Sequence, residues 1–333
     1  MTLRIAVIGA GIMGGDHARI IAGDLPGASL HVICDAGQAR AAAIPADWGG
    51  EVATNPVEVI NRSDVDAVVI ASPDDTHAPL VLACIAAGKP ILCEKPLSQS
   101  PAECQQIIEA EVAAGRQFVQ LGFMRRFDAS YAEMKSALTE GVIGHALMMH
   151  NFHRNVETPA TDFTAAMAIT NSAPHEFDVT RWVLGCDFAS ITAFKPSRSG
   201  PLVGPVFMVL ETTAGQLVNI EVNNNAAYGY DVRGELVGEK GAISLARTSA
   251  TRRDLALTQS TGHDTDWRPA YAEAYRLQDK AWIRSIQTGT PSDIAANAWD
   301  GLCAAVIAEA GVQALTAGHR IAITLPDKPA LYR

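Results

Sequence analysis

A short apolar, β-branched run, Leu3 to Ile8, passes at once into Gly9-Ala10-Gly11-Ile12-Met13-Gly14 and then into a helix-like segment reaching Ile21. Few local patterns narrow the choice of fold as far. The first glycine permits a tight turn from strand to helix, the second lets the backbone approach a pyrophosphate, and the third lets the helix pack close on the strand. The helix start adds N–H groups with no intrahelical partner and a partial positive charge. A second strand-like run, Leu30 to Cys34, ends in Asp35, 21 residues beyond Gly14, where a dinucleotide site places an acid for the ribose hydroxyls. Such a carboxylate repels a 2′-phosphate and so favours NAD over NADP, although Arg40 nearby is the kind of residue that accommodates one. The competing account of Asp35 is a helix cap. Gly9, Gly11, Ile12, Met13, Gly14 and Asp35 are the first cofactor-binding candidates.

Strand and helix signals continue to alternate. Pro56 to Asn61 reads as a short helix after Asn55, Asp66 to Ser72 as a buried strand, and Asp75 to Ala87 as a helix stopped by Gly88. Ile91-Leu92-Cys93 then forms a strand ending in Glu94-Lys95-Pro96. Ser100-Pro101-Ala102-Glu103 is a capping box with proline at the first helical position, its helix ends near Gly115, and Gln117 to Gly122 is another strand. This repetition predicts an α/β domain with a doubly wound parallel sheet, the Rossmann arrangement, over residues 1–122. Ser72, His77, Glu94, Lys95 and Pro96 fall beyond strand ends, on the edge where such sheets bind ligands. The plainer alternative for His77 is a solvent-facing residue at a helix start.

Beyond Phe123 the character changes. Asp128 to Thr139 reads as a helix, His145 to Arg154 as a strand, Thr158 to Asn171 as a loop, and Pro174 to Leu184 as a helix followed by Gly185. Strand signals follow at Ala189 to Phe194, Val206 to Thr212, Gln216 to Val222, Asp231 to Val237 and Ala242 to Leu245. Helices over Tyr271 to Ile286 and Ala295 to Ala317 and a strand over Arg320 to Leu325 complete the chain. The expectation for residues 123–333 is an α+β domain with a large, mostly antiparallel open sheet, whose face a second subunit could cover. His175 and Asp178 are three residues apart and share a helix face, with Asn171 just upstream. A neutral imidazole there suits removal of an alcohol proton near pH 7. Spacing alone equally allows a hydrogen-bonded, half-buried histidine.

Composition limits the partners. With 36 acidic against 26 basic side chains the net charge is -10, which leaves no basic field for nucleic acid or an anionic membrane surface. The six cysteines contain no Cys-x-x-Cys pair, so a reducing, cytoplasmic setting is expected. The first residues run directly into a strand and no apolar run is read as reaching membrane-spanning length, so neither secretion nor a membrane is expected. No metal site is expected either: His145, His150 and His153 lie close in sequence, but 150 and 153 face opposite sides of a strand. A Gly-x-Ser-x-Gly nucleophile elbow is absent.

Taken together, these residues resemble the glucose-fructose oxidoreductase/inositol dehydrogenase (Gfo/Idh/MocA) family over nearly the whole chain. The likeness rests on Gly9 to Gly14, Glu94-Lys95-Pro96, Val119 to Asp128 with its Phe-Met-Arg-Arg run, His153-Arg154-Asn155, His175-Glu176-Phe177-Asp178 with Arg181-Trp182, Tyr228 to Asp231, and Ala298-Trp299-Asp300-Gly301. The Phe-Met-Arg-Arg and His-Arg-Asn segments resemble the inositol branch. The resemblance implies NAD-dependent oxidation of myo-inositol to 2-keto-myo-inositol (scyllo-inosose) by a homotetramer assembled through its open sheets. It also implies that Lys95, often followed in the family by a cis proline, stands between nicotinamide and substrate, and that His175 is the base. Met124, Arg125, His153, Asn155, Asp178 and Tyr230 would bind the polyol, a task that needs several donors and acceptors fixed in space.

One departure bears on catalysis. The family usually has aspartate four residues before the catalytic histidine, where this chain has Asn171. An amide can orient an imidazole but cannot offset the charge of an imidazolium. Either the rate is lower, another acid such as Asp178 or Glu176 compensates, or the substrate is a different polyol or sugar. Pro73 is a lesser departure. Two other activities share the pattern: a glycosidase that keeps NAD bound, and a dinucleotide-binding sensor without turnover.

Overall fold

A computed structural model of the chain describes residues 2–333 apart from 45, 157–162, 198–202 and 247–250. Two compact units emerge: the first comprises Met1–Phe127, Glu273–Ala305 and Pro326–Arg333, the second Asp128–Ala272 and Val306–Leu325. The division therefore differs from a single cut at 122/123, because two later segments return to the first unit.

In the first unit, strands β1 (Leu3–Ile8), β2 (Ala28–Cys34), β3 (Glu51–Ala53), β4 (Ala67–Ile70), β5 (Ile91–Cys93) and β6 (Val119–Leu121) lie in the order β6-β5-β4-β1-β2-β3. Every pairing among them is parallel. Helices α1 (Ile12–Gly23), α2 (Gln38–Ala42), α3 (Pro56–Ile60), α4 (His77–Ala86) and α5 (Pro101–Ala114) make the crossovers. All four residues of β4 are fully buried, as expected of a central parallel strand covered on both faces. Each such valine or isoleucine contributes about 1.5–3 kcal/mol of transfer free energy. Local signals set the ends: Asn55 caps α3 through the N–H groups of Val57 and Glu58, and Ser100 caps α5 through that of Glu103. The Glu103 carboxylate does not return to Ser100 to close the expected box but accepts from the Ser98 hydroxyl.

In the second unit, α6 (Ala129–Thr139) starts on an Asp128 cap and precedes β7 (Ala146–Arg154). The expected loop over 158–171 lies partly outside the described residues, and from Ala165 on it is helical. Thr164 caps α7 (Ala165–Met167), which runs into a π-helical turn, Ala168–Ser172, carrying Asn171. After α8 (Pro174–Leu184) come β8 (Phe188–Phe194), β9 (Val206–Thr212), β10 (Leu217–Asn223), β11 (Asp231–Gly238) and β12 (Ala242–Ser244). An exposed hairpin absent from the sequence reading follows, β13 (Arg252–Leu255) and β14 (Thr258–Thr261), turned at Ala256 and Leu257 with φ of 50° and 62°. The main sheet has the order β12-β11-β7-β10-β9-β8 with one further strand beyond β8, and among the described residues only β7 and β10 pair in parallel. Inward residues such as Met149, Met208, Ile220 and Leu236 form its core, while Phe194, Phe207 and Leu217 stand exposed on the other face.

Two long helices and two short strands end the chain: α9 (Trp267–Thr288), β15 (Ala296–Asn297), α10 (Ala298–Ala317) and β16 (Ile321–Ala322). Helix α9 begins earlier than its apolar pattern suggests because Asp266 accepts from the Arg268 N–H. The expected start of α10 at Ala295 is replaced by β15, which pairs antiparallel with β6, and the Asn297 side chain caps the helix through the N–H groups of Trp299 and Asp300. The last strand is confined to β16, paired with β8. Helix α10 corrects the reading that no apolar segment reaches membrane-spanning length: its 20 residues are long and apolar enough, and 56% of its most apolar window is buried inside the fold. Its apolarity has a local use, since Leu302 and Cys303 enter the core of the first unit and Ile307 and Ala314 that of the second.

Candidate active site

The glycine turn of the first unit is shaped by close backbone approaches. A Cβ on Gly14 would lie 1.7 Å from the Gly9 carbonyl oxygen, and one on Gly9, whose φ is +98°, would lie 2.4 Å from that of Ala71. Neither position admits a side chain. A Cβ on Gly11, in contrast, would meet nothing within 4 Å, so this glycine keeps a space clear beside the start of α1, whose first N–H groups have no side-chain cap. Asp35 stands at the end of β2, nearly buried, accepting from the N–H groups of Ala10 at 2.9 Å and Gly37 at 2.7 Å and pairing with Arg40 at 2.8 Å. Burial alone would raise its pKa, but the bonds from Arg40, Ala10 and Gly37 reverse this and hold the carboxyl below its ordinary value. The carboxylate is thus ionised and ties the turn to β2, and it does not cap α2, which follows Gly37 and has no side-chain cap. A cleared turn, open helix N–H groups and an anionic β2 terminus fit a dinucleotide: Gly9, Gly11, Ile12, Met13 and Gly14 would face its pyrophosphate and Asp35 its ribose.

The two neighbouring strand ends are tied together. His77 is buried, with Nδ1 2.7 Å from the Pro96 carbonyl oxygen and Nε2 2.9 Å from that of Ser72. Its side chain is not solvent-facing, and its two ring nitrogens tie together the loops after β4 and β5. The Lys95–Pro96 bond is cis. Behind Lys95, the Glu94 carboxylate accepts from the Lys95 N–H at 3.2 Å and meets His17 Nε2 at 3.1 Å, while His17 Nδ1 lies 2.8 Å from Asp279. His17 and Asp279 escaped the sequence reading. His17 lies three residues past Gly14, but its partner Asp279 lies 262 residues further along on α9, and no local pattern links them. Burial opposes charge on His17, yet Asp279 and Glu94 outweigh it, and the imidazole pKa is pushed up to about 10. Burial likewise pushes the Asp279 carboxyl up while the imidazolium pulls it back. At neutral pH the proton resides on the ring. Met124 and Arg125, both buried, also belong to this unit, on a 3₁₀ turn after β6.

The remaining predicted residues belong to the second unit. His175 lies near the start of α8, almost buried, and its ring centroid is 6.2 Å from that of His153 at the end of β7. His153 Nδ1 is 3.0 Å from the fully buried Glu176, its Nε2 is 3.2 Å from Asn155 Nδ2, and the Tyr230 ring meets it edge-on at 6.4 Å. Asn155 also donates to Asn224 at 3.1 Å, and Asn224 meets Ser172 at the end of the π turn. Asp178 is buried one turn along α8 from His175. Asn171 Oδ1 accepts from the Thr170 hydroxyl at 2.6 Å. Of the two acids suggested as compensating for Asn171, Glu176 is thus engaged by His153. The cluster offers an imidazole beside several fixed donors and acceptors, which can accept a proton from a hydroxyl while neighbouring hydroxyls are held. Asn224 and Tyr271, whose ring meets Tyr230 edge-on at 6.5 Å, were not identified from sequence.

Comparison with known proteins agrees with both halves. Residues 3–123 match the model of the "Oxidoreductase family, NAD-binding Rossmann fold", and residues 131–244 that of the "GFO/IDH/MocA C-terminal domain". Similar proteins include inositol 2-dehydrogenase 1 of Saccharopolyspora erythraea, 45% identical over 100% of this chain and 99% of the relative. Inositol 2-dehydrogenase of Klebsiella pneumoniae is 40% identical over the full length of both chains. Among solved structures, myo-inositol dehydrogenase from Lactobacillus casei in complex with NAD(H) and myo-inositol superposes with a TM-score of 0.94 at 28% identity, over 100% of each chain.

Proposed function

This chain belongs to the Gfo/Idh/MocA oxidoreductase family, as an NAD-dependent dehydrogenase acting on CH–OH groups, and from that premise we propose that it oxidises a cyclitol, myo-inositol to 2-keto-myo-inositol. The polar cluster around His175 carries the reading. A ring with a hydroxyl on every carbon needs donors and acceptors fixed in space, and His153, Asn155, Asp178 and Tyr230 supply them in one unit. NAD supplies the hydride acceptor. His175 takes the hydroxyl proton, and Lys95 hydrogen-bonds the reacting oxygen. Met124 and Arg125 add contacts to the polyol. The names of the similar proteins, inositol dehydrogenases by several designations, support this substrate class.

Asn171 gives a specific reason to look beyond myo-inositol. Without a carboxylate at that position the imidazolium formed during oxidation loses one source of stabilisation. A screen of inositol isomers and aldoses with NAD and NADP tests the assignment: steady NADH formation with a cyclitol supports it, whereas release of a glycosidic product without net NADH would replace it with a glycosidase. Asn171→Asp is expected to raise turnover of the preferred polyol about tenfold or more. The exposed apolar face of the second unit's sheet, with Phe194, Phe207 and Leu217, suits a homotetramer of such cytoplasmic subunits. Light scattering of the purified protein checks this, a monomer being the contrary result.

A further inference from the structure

Glu94, one residue before Lys95, is closely enclosed inside the first unit. Its Oε1 meets His17 at 3.1 Å and its Oε2 accepts from the Lys95 N–H at 3.2 Å. Gly122 closes another side: a Cβ there would lie 3.0 Å from Oε1 and 3.1 Å from the Glu94 Cα. His17 is fully buried on α1, the helix that follows the glycine turn, and Asp279, 1% exposed on α9, holds its other nitrogen at 2.8 Å. Helix α9 is in turn fixed to β6, since the Gln120 side chain donates to the Gln278 carbonyl oxygen at 2.9 Å. The Tyr275 ring meets His17 edge-on at 6.1 Å. Burying three ionisable groups is a poor way to gain stability, because well-packed apolar side chains of similar volume do as well or better. The arrangement fits directional control: with both Glu94 oxygens engaged and no room on the Gly122 side, the chain leaves β5 in one orientation.

We propose that His17, clamped by Asp279, is a positioning residue that sets the direction of Lys95 through Glu94 and ties it to the helix of the glycine turn. The proposal deepens the dehydrogenase reading and rests on it for the role of Lys95. A change at His17 is therefore expected to act on hydride chemistry and not on the pyrophosphate cradle, which is made by backbone about one turn earlier, at the start of α1.

The test uses His17→Gln, which keeps one amide donor but removes the charge, and Asp279→Asn, which leaves His17 in place. Three readouts are taken on each folded variant: thermal melting, NADH affinity by fluorescence, and the reactivity of Lys95 toward trace isotopic acetic anhydride, scored by mass spectrometry against Lys89 and Lys135 of the same molecule. Steady-state turnover with the preferred polyol is the fourth. A positioning role predicts NADH affinity close to wild type, a changed Lys95 labelling ratio, and kcat lower by about 10- to 100-fold with little change in KM for NAD, the loss being smaller in Asp279→Asn. Wild-type labelling and kcat in the folded variants overturn the proposal. So does a loss of turnover that only follows the unfolded fraction, or failure of both variants to fold, either of which assigns the cluster to stability. The labelling ratio needs no polyol, so it decides the matter even if the wild-type protein oxidises none, an outcome that would instead defeat the substrate assignment.

Discussion

The cofactor cradle of the first unit and the histidine cluster of the second are built from different materials. The cradle is made of backbone: glycines that no side chain can replace at Gly9 and Gly14, cleared space at Gly11, and N–H groups held by one carboxylate, Asp35. The cluster is made of side chains brought from β7, α8, the residues after β10 and the approach to β11, each oriented by another side chain. A backbone site tolerates change around it and fails when space is filled. A side-chain site loses its function in degrees, because each partner holds the next.

The sharpest way to test that division is to remove the central imidazole. His175→Ala is expected to lower turnover by about 10²–10⁴-fold, the range for loss of a general base, with NADH affinity unchanged in a fluorescence titration. Full turnover would break the base assignment. Next in size is Gly14→Ala, where the added Cβ meets the Gly9 carbonyl oxygen at 1.7 Å and the backbone must shift. A strain of about 3 kcal/mol passed to binding weakens NADH by about two decades, and wild-type affinity would show that the turn is not the cradle. Asp35→Ser removes the acceptor of two N–H bonds and the carboxylate proposed to meet the ribose. It should raise the NADP-to-NAD ratio of kcat/KM by about tenfold, with Arg40 released from its ion pair. An unchanged ratio would restrict Asp35 to loop geometry.

The smallest expected effect concerns pH. The His17 pKa is raised to about 10 by Asp279 and Glu94, which face it from α9 and the end of β5, against the opposing effect of burial. Its protonation therefore stabilises the fold fully below the unfolded-state value near 6.5, and that contribution is lost as pH rises toward 10. Melting temperature should fall by a few degrees across that window in the wild-type protein and less in His17→Gln. Equal slopes would mean that the ring carries no proton at neutral pH.

How much was legible in the sequence follows the same division. Gly9 to Gly14, the acid at 35, the strand ends at Ser72 and Lys95 and the cap at Ser100 are local signals, because the chain must adopt a particular backbone within a few residues. The Glu94–His17–Asp279 cluster left no such trace, since a buried ion pair specifies only types that are common everywhere. For His77 the pattern shows a position on the loop, whereas its two carbonyl partners come from the β4 and β5 loops and leave no local signal. The π turn at Asn171 was hidden because Ala165 to Ser172 has weak helical periodicity, and a single Thr164 cap starts it. The return of residues 273–305 and 326–333 to the first unit was hidden for a similar reason. Amphipathic pattern shows that a helix will be buried, not against which core.

The lone parallel pairing in the second unit's main sheet, β7 with β10, places the carboxyl ends of both strands on one rim. There the Asn155 N–H donates to the Asn223 carbonyl oxygen at 2.8 Å, and its side chain donates to Asn224 at 3.1 Å. The geometry of this rim is therefore a property of pairs. Changing Asn155 alone removes one of the two donors to the Asn224 amide oxygen, and changing Asn224 alone removes a partner from both Asn155 and Ser172. With Asn155 as a proposed polyol contact, drift from one polyol to another would run through coupled substitutions at these two positions, whose effects on stability are non-additive.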